Sequence, residues 1–85
     1  MAEFLVELYV ARTDAAGAER NGKSARRAAE ELTREGVEVQ YVRSIFVPDD
    51  ETCYLLFEAR SADVVREAAR RADLPFDRVA EAVGA

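Results

Sequence analysis

Two stretches of the chain place small apolar residues at helical spacing. Ala25, Ala28, Ala29 and Leu32 stand at i, i+3, i+4 and i+7, and Val64, Val65, Ala68, Ala69 and Ala72 make a second stripe. Each is one narrow face of a helix. A face built largely of alanine buries little by itself, and its lack of bulk lets the helix lie close to whatever it covers. Both helices therefore need a broad apolar surface beside them, and one face of a β-sheet supplies it. The first helix is predicted over 24–35, with Gly36 as its stop. The second is predicted over 61–72, with Ser61 as N-cap and Leu74-Pro75-Phe76 breaking it.

The remaining segments read as strands. In residues 3–11, EFLVELYVA, Phe4, Val6, Leu8 and Val10 fall on one side and Glu3, Leu5, Glu7 and Tyr9 on the other. Residues 37–47, VEVQYVRSIFV, are β-branched and aromatic. Pro48-Asp49-Asp50-Glu51 is a turn, since proline presets φ and aspartate side chains bond local backbone. It leads into TCYLLFEA, residues 52–59, as the second arm of a hairpin. Residues 12–22 contain Asp14, two glycines and Asn21, so that connection is expected to be irregular or partly helical. Residues 77–83, DRVAEAV, suit a short last strand or a helical turn. The order β-α-β-β-α-β is the ferredoxin-like α+β arrangement, an antiparallel sheet with both helices on one face. Residues 1–85 are expected to form a single domain.

Strand alternation then assigns the faces. Cys53, Leu55 and Phe57 join Phe4, Val6, Leu8 and Val10 under the helices. Cys53 is expected to be a small buried hydrophobe, because a reactive thiol needs exposure and an electropositive neighbour. The open face should carry Leu5, Glu7, Tyr9, Gln40, Val42, Ser44, Phe46, Tyr54, Leu56 and Glu58. That mixture is too apolar to be left in water and too polar for a core. Leu5, Val42, Phe46, Tyr54 and Leu56 are expected to form a homodimer interface, giving a dimeric α+β barrel. Glu7, Tyr9, Gln40, Ser44, Tyr54 and Glu58 are expected to line a ligand pocket between the sheets. A carboxylate such as Glu7, desolvated beneath a partner, could act as a base or a ligand; the plainer reading is a hydrogen bond to Tyr9, Tyr54 or Arg43.

Composition narrows the chemistry. The 85 residues carry 12 basic and 17 acidic side chains, a net charge of −5 that repels nucleic-acid phosphates unless the cations cluster. Arg20, Lys23, Arg26, Arg27 and Arg34 instead alternate with glutamates, and Arg26/Glu30, Arg27/Glu31 and Glu30/Arg34 are spaced for ion pairs on a solvated helix face. Arg66, Arg70 and Arg71 make a smaller patch, diluted by Asp63, Glu67 and Asp73. No apolar run approaches the ~20 residues of a membrane span, no signal-peptide pattern opens the chain, and the lone cysteine suits a reducing compartment, so a cytoplasmic location is expected. With no histidine there is no serine- or cysteine-histidine pair. AAGAERNGKS lacks P-loop spacing, one cysteine cannot build a zinc site, and Asp49-Asp50-Glu51 lacks the alternate spacing of a calcium loop.

PDDE, TCYLLFEA, ADVVREAARRADLP and FDRVAEAV together resemble a family of small bacterial proteins with a domain of unknown function. Its best-known branch is described as nickel-binding, ferredoxin-like and dimeric. The resemblance implies that fold and a dimer, and makes nickel the cofactor to consider, with Glu7 and Glu58 as candidate ligands. Family members commonly carry a histidine in the second helix, where this chain has Ala68 and Ala69. The nickel-binding branch tends to have another before the proline, where Leu74 stands here. Imidazole is the favoured ligand for nickel, so the missing histidines count against a nickel site. Two functions follow: an accessory protein binding a small molecule or divalent metal, or a small cofactor-free enzyme of monooxygenase or cyclase type, working through Glu7, Tyr9 and Tyr54.

Overall fold

The computed structural model describes residues 1–84. Its elements are β1 (Ala2–Tyr9), α1 (Ala15–Arg34), β2 (Val39–Val47), a 3-10 turn (Pro48–Asp50), β3 (Thr52–Ala59), α2 (Ala62–Arg71) and β4 (Arg78–Ala82). The four strands form one antiparallel sheet in the order β2-β3-β1-β4, and this is the ferredoxin-like α+β fold. The C-terminal segment resolves in favour of a strand. Its pairing begins where the Asp77 amide donates to the Glu7 carbonyl at 2.7 Å.

The core lies between the sheet and the two helices. Phe4, Val6 and Leu8 from β1 and Cys53, Leu55, Phe57 and Ala59 from β3 meet Ala25, Ala29 and Leu32 of α1 and Val65, Ala68 and Ala69 of α2. The large members gain roughly 1.5–3 kcal/mol each by leaving water. The alanines contribute closeness rather than area. Between them, Phe57, Leu55 and Val65 are wholly buried.

Helix α1 starts nine residues earlier than predicted. Asp14 caps it, accepting the Gly17 amide at 3.0 Å, and the two glycines lie within the helix, not in a loop. Both are there for space. A Cβ on Gly17 would overlap the Asp14 carboxylate, and one on Gly22 would sit 2.6 Å from Ser44 Oγ and 2.8 Å from Tyr41 Oη. Gly36 ends the helix at φ +91°, a conformation open to glycine at little cost. In α2 the predicted Ser61 cap accepts the Val64 amide at 3.4 Å.

Strand β2 departs from simple alternation. Tyr41 pairs with Phe57 but Arg43 pairs with Leu56, leaving Val42 as the extra residue of a β-bulge. Before the bulge odd-numbered residues face the helices; after it even-numbered ones do. Ser44 and Phe46 therefore turn to the helix-covered side, opposite Leu55 and Cys53, and not to the open face where unbroken alternation puts them. Arg43, Ile45 and Val47 take their place.

Candidate ligand site on the open sheet face

Because directly paired residues of an antiparallel sheet point to the same side, the register reads the open face row by row. Ile45, Tyr54, Glu7 and Arg78 form one row across β2-β3-β1-β4. Arg43, Leu56, Leu5 and Ala80 form the next, and Gln40, Glu58, Glu3 and Ala82 the one after. On the other flank, Val47, Thr52 and Tyr9 complete the surface. Leu5, Tyr54 and Leu56 shield one another to intermediate exposure, whereas Val42 and Ile45 are exposed.

The central polar feature is an ion pair. Arg78 Nε donates to Glu7 Oε2 at 2.7 Å, and this hydrogen bond holds the Arg78 guanidinium above its ordinary pKa. Glu7 is the better covered partner, its side chain 30% exposed against 70% for Arg78. Its partner is thus neither of the tyrosines nor Arg43, the cross-strand groups expected from sequence. Arg78 is not singled out from sequence because residues 77–83 suit a strand or a helical turn equally; the strand puts residue 78 beside Glu7 at once.

The other expected pocket residues scatter. Tyr9 is 63% exposed at the strand end and donates to Glu51 Oε2 at 3.4 Å, an atom that also accepts the Arg12 amide. Ser44 lies on the far side of the sheet, hydrogen-bonded to the Tyr41 hydroxyl. Gln40 and Glu58 do share the open face, but with Glu3 opposite Glu58 they bring two carboxylates together. Ser44 and Phe46 leave the open face, and Arg43 and Ile45 occupy it, because the bulge changes the phase. The sign of it is in the sequence: Tyr41 and Val42 stand side by side, ending one run of alternate apolar residues and beginning another.

The donor set does not fit a metal ion within one chain. Glu7 and Glu58 are four residues apart in register, about 13 Å along the strand at ~3.3 Å per residue. Glu7 is already occupied by Arg78, and Cys53 is fully buried on the opposite face, where burial pushes its thiol pKa up. Among the described residues no three cysteine or acidic side chains gather closely enough to hold an ion.

A family model described as nickel-responsive protein SCO4226-like matches residues 5–82, from the first open-face leucine to the end of β4. The chain belongs to this SCO4226-like family. A crystal structure of SCO4226 from Streptomyces coelicolor A3(2) has the same fold, with a TM-score of 0.76 over 99% of this chain and 100% of that one. Sequence identity is 19%. No curated protein matches the chain. The matched span contains every residue of the Ile45-Tyr54-Glu7-Arg78 row, and among the described residues no helix is long and apolar enough to cross a membrane.

Proposed function

We propose that this SCO4226-like chain is a cytoplasmic accessory protein that works as a homodimer and binds a small molecule between two open sheet faces. The observation that carries the reading is the Glu7–Arg78 pair set among Leu5, Tyr54, Leu56 and Ile45. An apolar surround with one convergent polar group is how small-molecule sites are commonly built. A second copy placed face to face removes that surface from water and closes the assembly by two-fold symmetry. The family description ties such proteins to a nickel response. In this chain the donor set supports a response through a partner or a bound molecule, and not through an ion held by its own residues. No observation favours the enzymatic reading: the one carboxylate at the centre of the face, Glu7, is engaged by Arg78.

Sedimentation of the wild type at tens of micromolar is expected to give a dimer. Leu56→Asp should weaken it by about a hundredfold or more, because burying an unpaired carboxylate costs several kcal/mol and each 1.4 kcal/mol is tenfold. A monomeric wild type, or a Leu56→Asp variant that stays dimeric, removes the interface and the site built on it.

A further inference from the structure

The cations of α1 do not do what their spacing suggests. Among the described residues, none of Arg26/Glu30, Arg27/Glu31 and Glu30/Arg34 forms an ion pair; Glu31 reaches across to Arg71 of α2 instead. Arg26 lies with its guanidinium carbon 5.3 Å from the centroid of the Tyr41 ring. A ring face attracts a cation without occupying its N–H donors. Tyr41 is itself braced by Phe57, edge to face with ring centroids 5.7 Å apart. The guanidinium is therefore positioned while its donors remain available.

On either side of this stack, α1 and the edge strand β2 leave two adjoining cavities of about 390 and 460 Å³, which share Arg26, Glu30 and Tyr41. Their combined walls hold Lys23, Arg26, Arg27 and Arg34 against Glu19 and Glu30, a surplus of two positive charges on a chain of net charge −5. Of the carboxylates, Glu19 is engaged only by Lys23, at 3.5 Å on the surface. The floor is polar as well. Gly22, having no side chain, lets the hydroxyls of Tyr41 and Ser44 come against α1. Those two hydroxyls bond each other, so one donates inward and one proton is left to give.

We propose that this groove is a binding site for a small organic anion, its carboxylate or phosphate held by Arg26 and Arg27 with Lys23 behind them and the Tyr41–Ser44 pair as a further donor. The groove lies on the helix side of the sheet. Of its lining residues only Gln40 belongs to the open face, and a second copy stacked there leaves Arg26, Arg27 and the Tyr41–Ser44 pair uncovered.

The test is a titration of ¹⁵N-labelled full chain with phenyl phosphate, benzoate and inorganic phosphate in separate arms, at constant ionic strength. Saturable amide shifts at Gly22, Lys23, Tyr41 and Ser44 in the millimolar range are expected with at least one organic probe. The arms distinguish phosphate from carboxylate, and saturation by inorganic phosphate alone overturns the organic ligand. Arg27→Gln, which leaves the Arg26–Tyr41 stack intact, should weaken binding by about tenfold, roughly 1.4 kcal/mol. Arg66→Gln on α2 should leave it unchanged. Shifts that rise linearly without saturation, that appear at Leu5, Glu7 and Tyr54 instead, or that persist undiminished in Arg27→Gln overturn the proposal. The second of these outcomes points to the open face and leaves its own reading standing.

Discussion

Cys53 shows what a single residue's surroundings decide. It sits opposite Leu8 in β3, fully buried, and burial pushes its thiol pKa up because the thiolate cannot be solvated there. The thiolate is the reacting form, so modification requires the strand to open. A disulfide-exchange reagent should label the folded protein at least about a thousandfold more slowly than the denatured one, in line with the populations of open states in small domains. Fast labelling of the native chain would mean an accessible thiol and a misplaced β3. This residue was readable in advance: unbroken alternation through TCYLLFEA fixes its face, and β3 runs straight. Ser44 was not, because the phase of its strand changes two residues earlier, at Val42.

At the level of elements, α1 is where sequence reading fell short. Gly17 and Gly22 look like breakers, since glycine costs about 1 kcal/mol against alanine inside a helix. Each is instead required by a neighbour distant enough in sequence, or specific enough in geometry, that periodicity carries no trace of it. Gly22→Ala is accordingly expected to lower stability despite its better helix propensity. Strain of about 1–3 kcal/mol against Ser44 and the braced Tyr41 ring outweighs the ~1 kcal/mol gain, for a net loss of up to about 2 kcal/mol by urea denaturation. Adding Ser44→Ala should recover part of it, and a Gly22→Ala variant more stable than wild type would show the packing to be loose.

The C-terminal ends of α1 and α2 are tied by Arg71, which donates to both oxygens of Glu35 and to Glu31 and Glu67. Its hydrogen bonds hold the Glu35 carboxyl below its ordinary value. A lowered folded-state pKa adds stability above the unfolded carboxylate range and loses it as pH falls through the folded value. Arg71→Gln should therefore lower Tm at neutral pH, with the gap to wild type closing in acid and narrowing in salt. A gap that is constant from neutral pH into strong acid would assign the effect to packing instead.

The whole molecule is a two-layer slab, 37 × 29 × 17 Å, with helices on one side only. That much was legible: two alanine stripes and one apolar strand face leave few other arrangements. The site was half legible, because a face is set by alternation while its chemistry is set by which rows meet, and Arg78 enters only through the pairing of β4. Nickel belongs to this scale, since its donors would have to be gathered from across the slab. With Glu7 and Glu58 about 13 Å apart and no imidazole, calorimetry with Ni²⁺ should give weak or no binding. A Kd in the low micromolar range or tighter, lost on Glu7→Ala or Glu58→Ala, would show carboxylates to suffice. The two rims of the sheet set a further limit. One is β2, kinked where Val42 is squeezed out of the ladder; the other is β4, five residues long. A straight, unpaired rim invites further strands and open-ended growth, and a kinked or short one discourages it. On the proposed face-to-face dimer, copies would stack but have little means to string together, and raising the concentration should fill a single assembled species without a trail of polymers behind it.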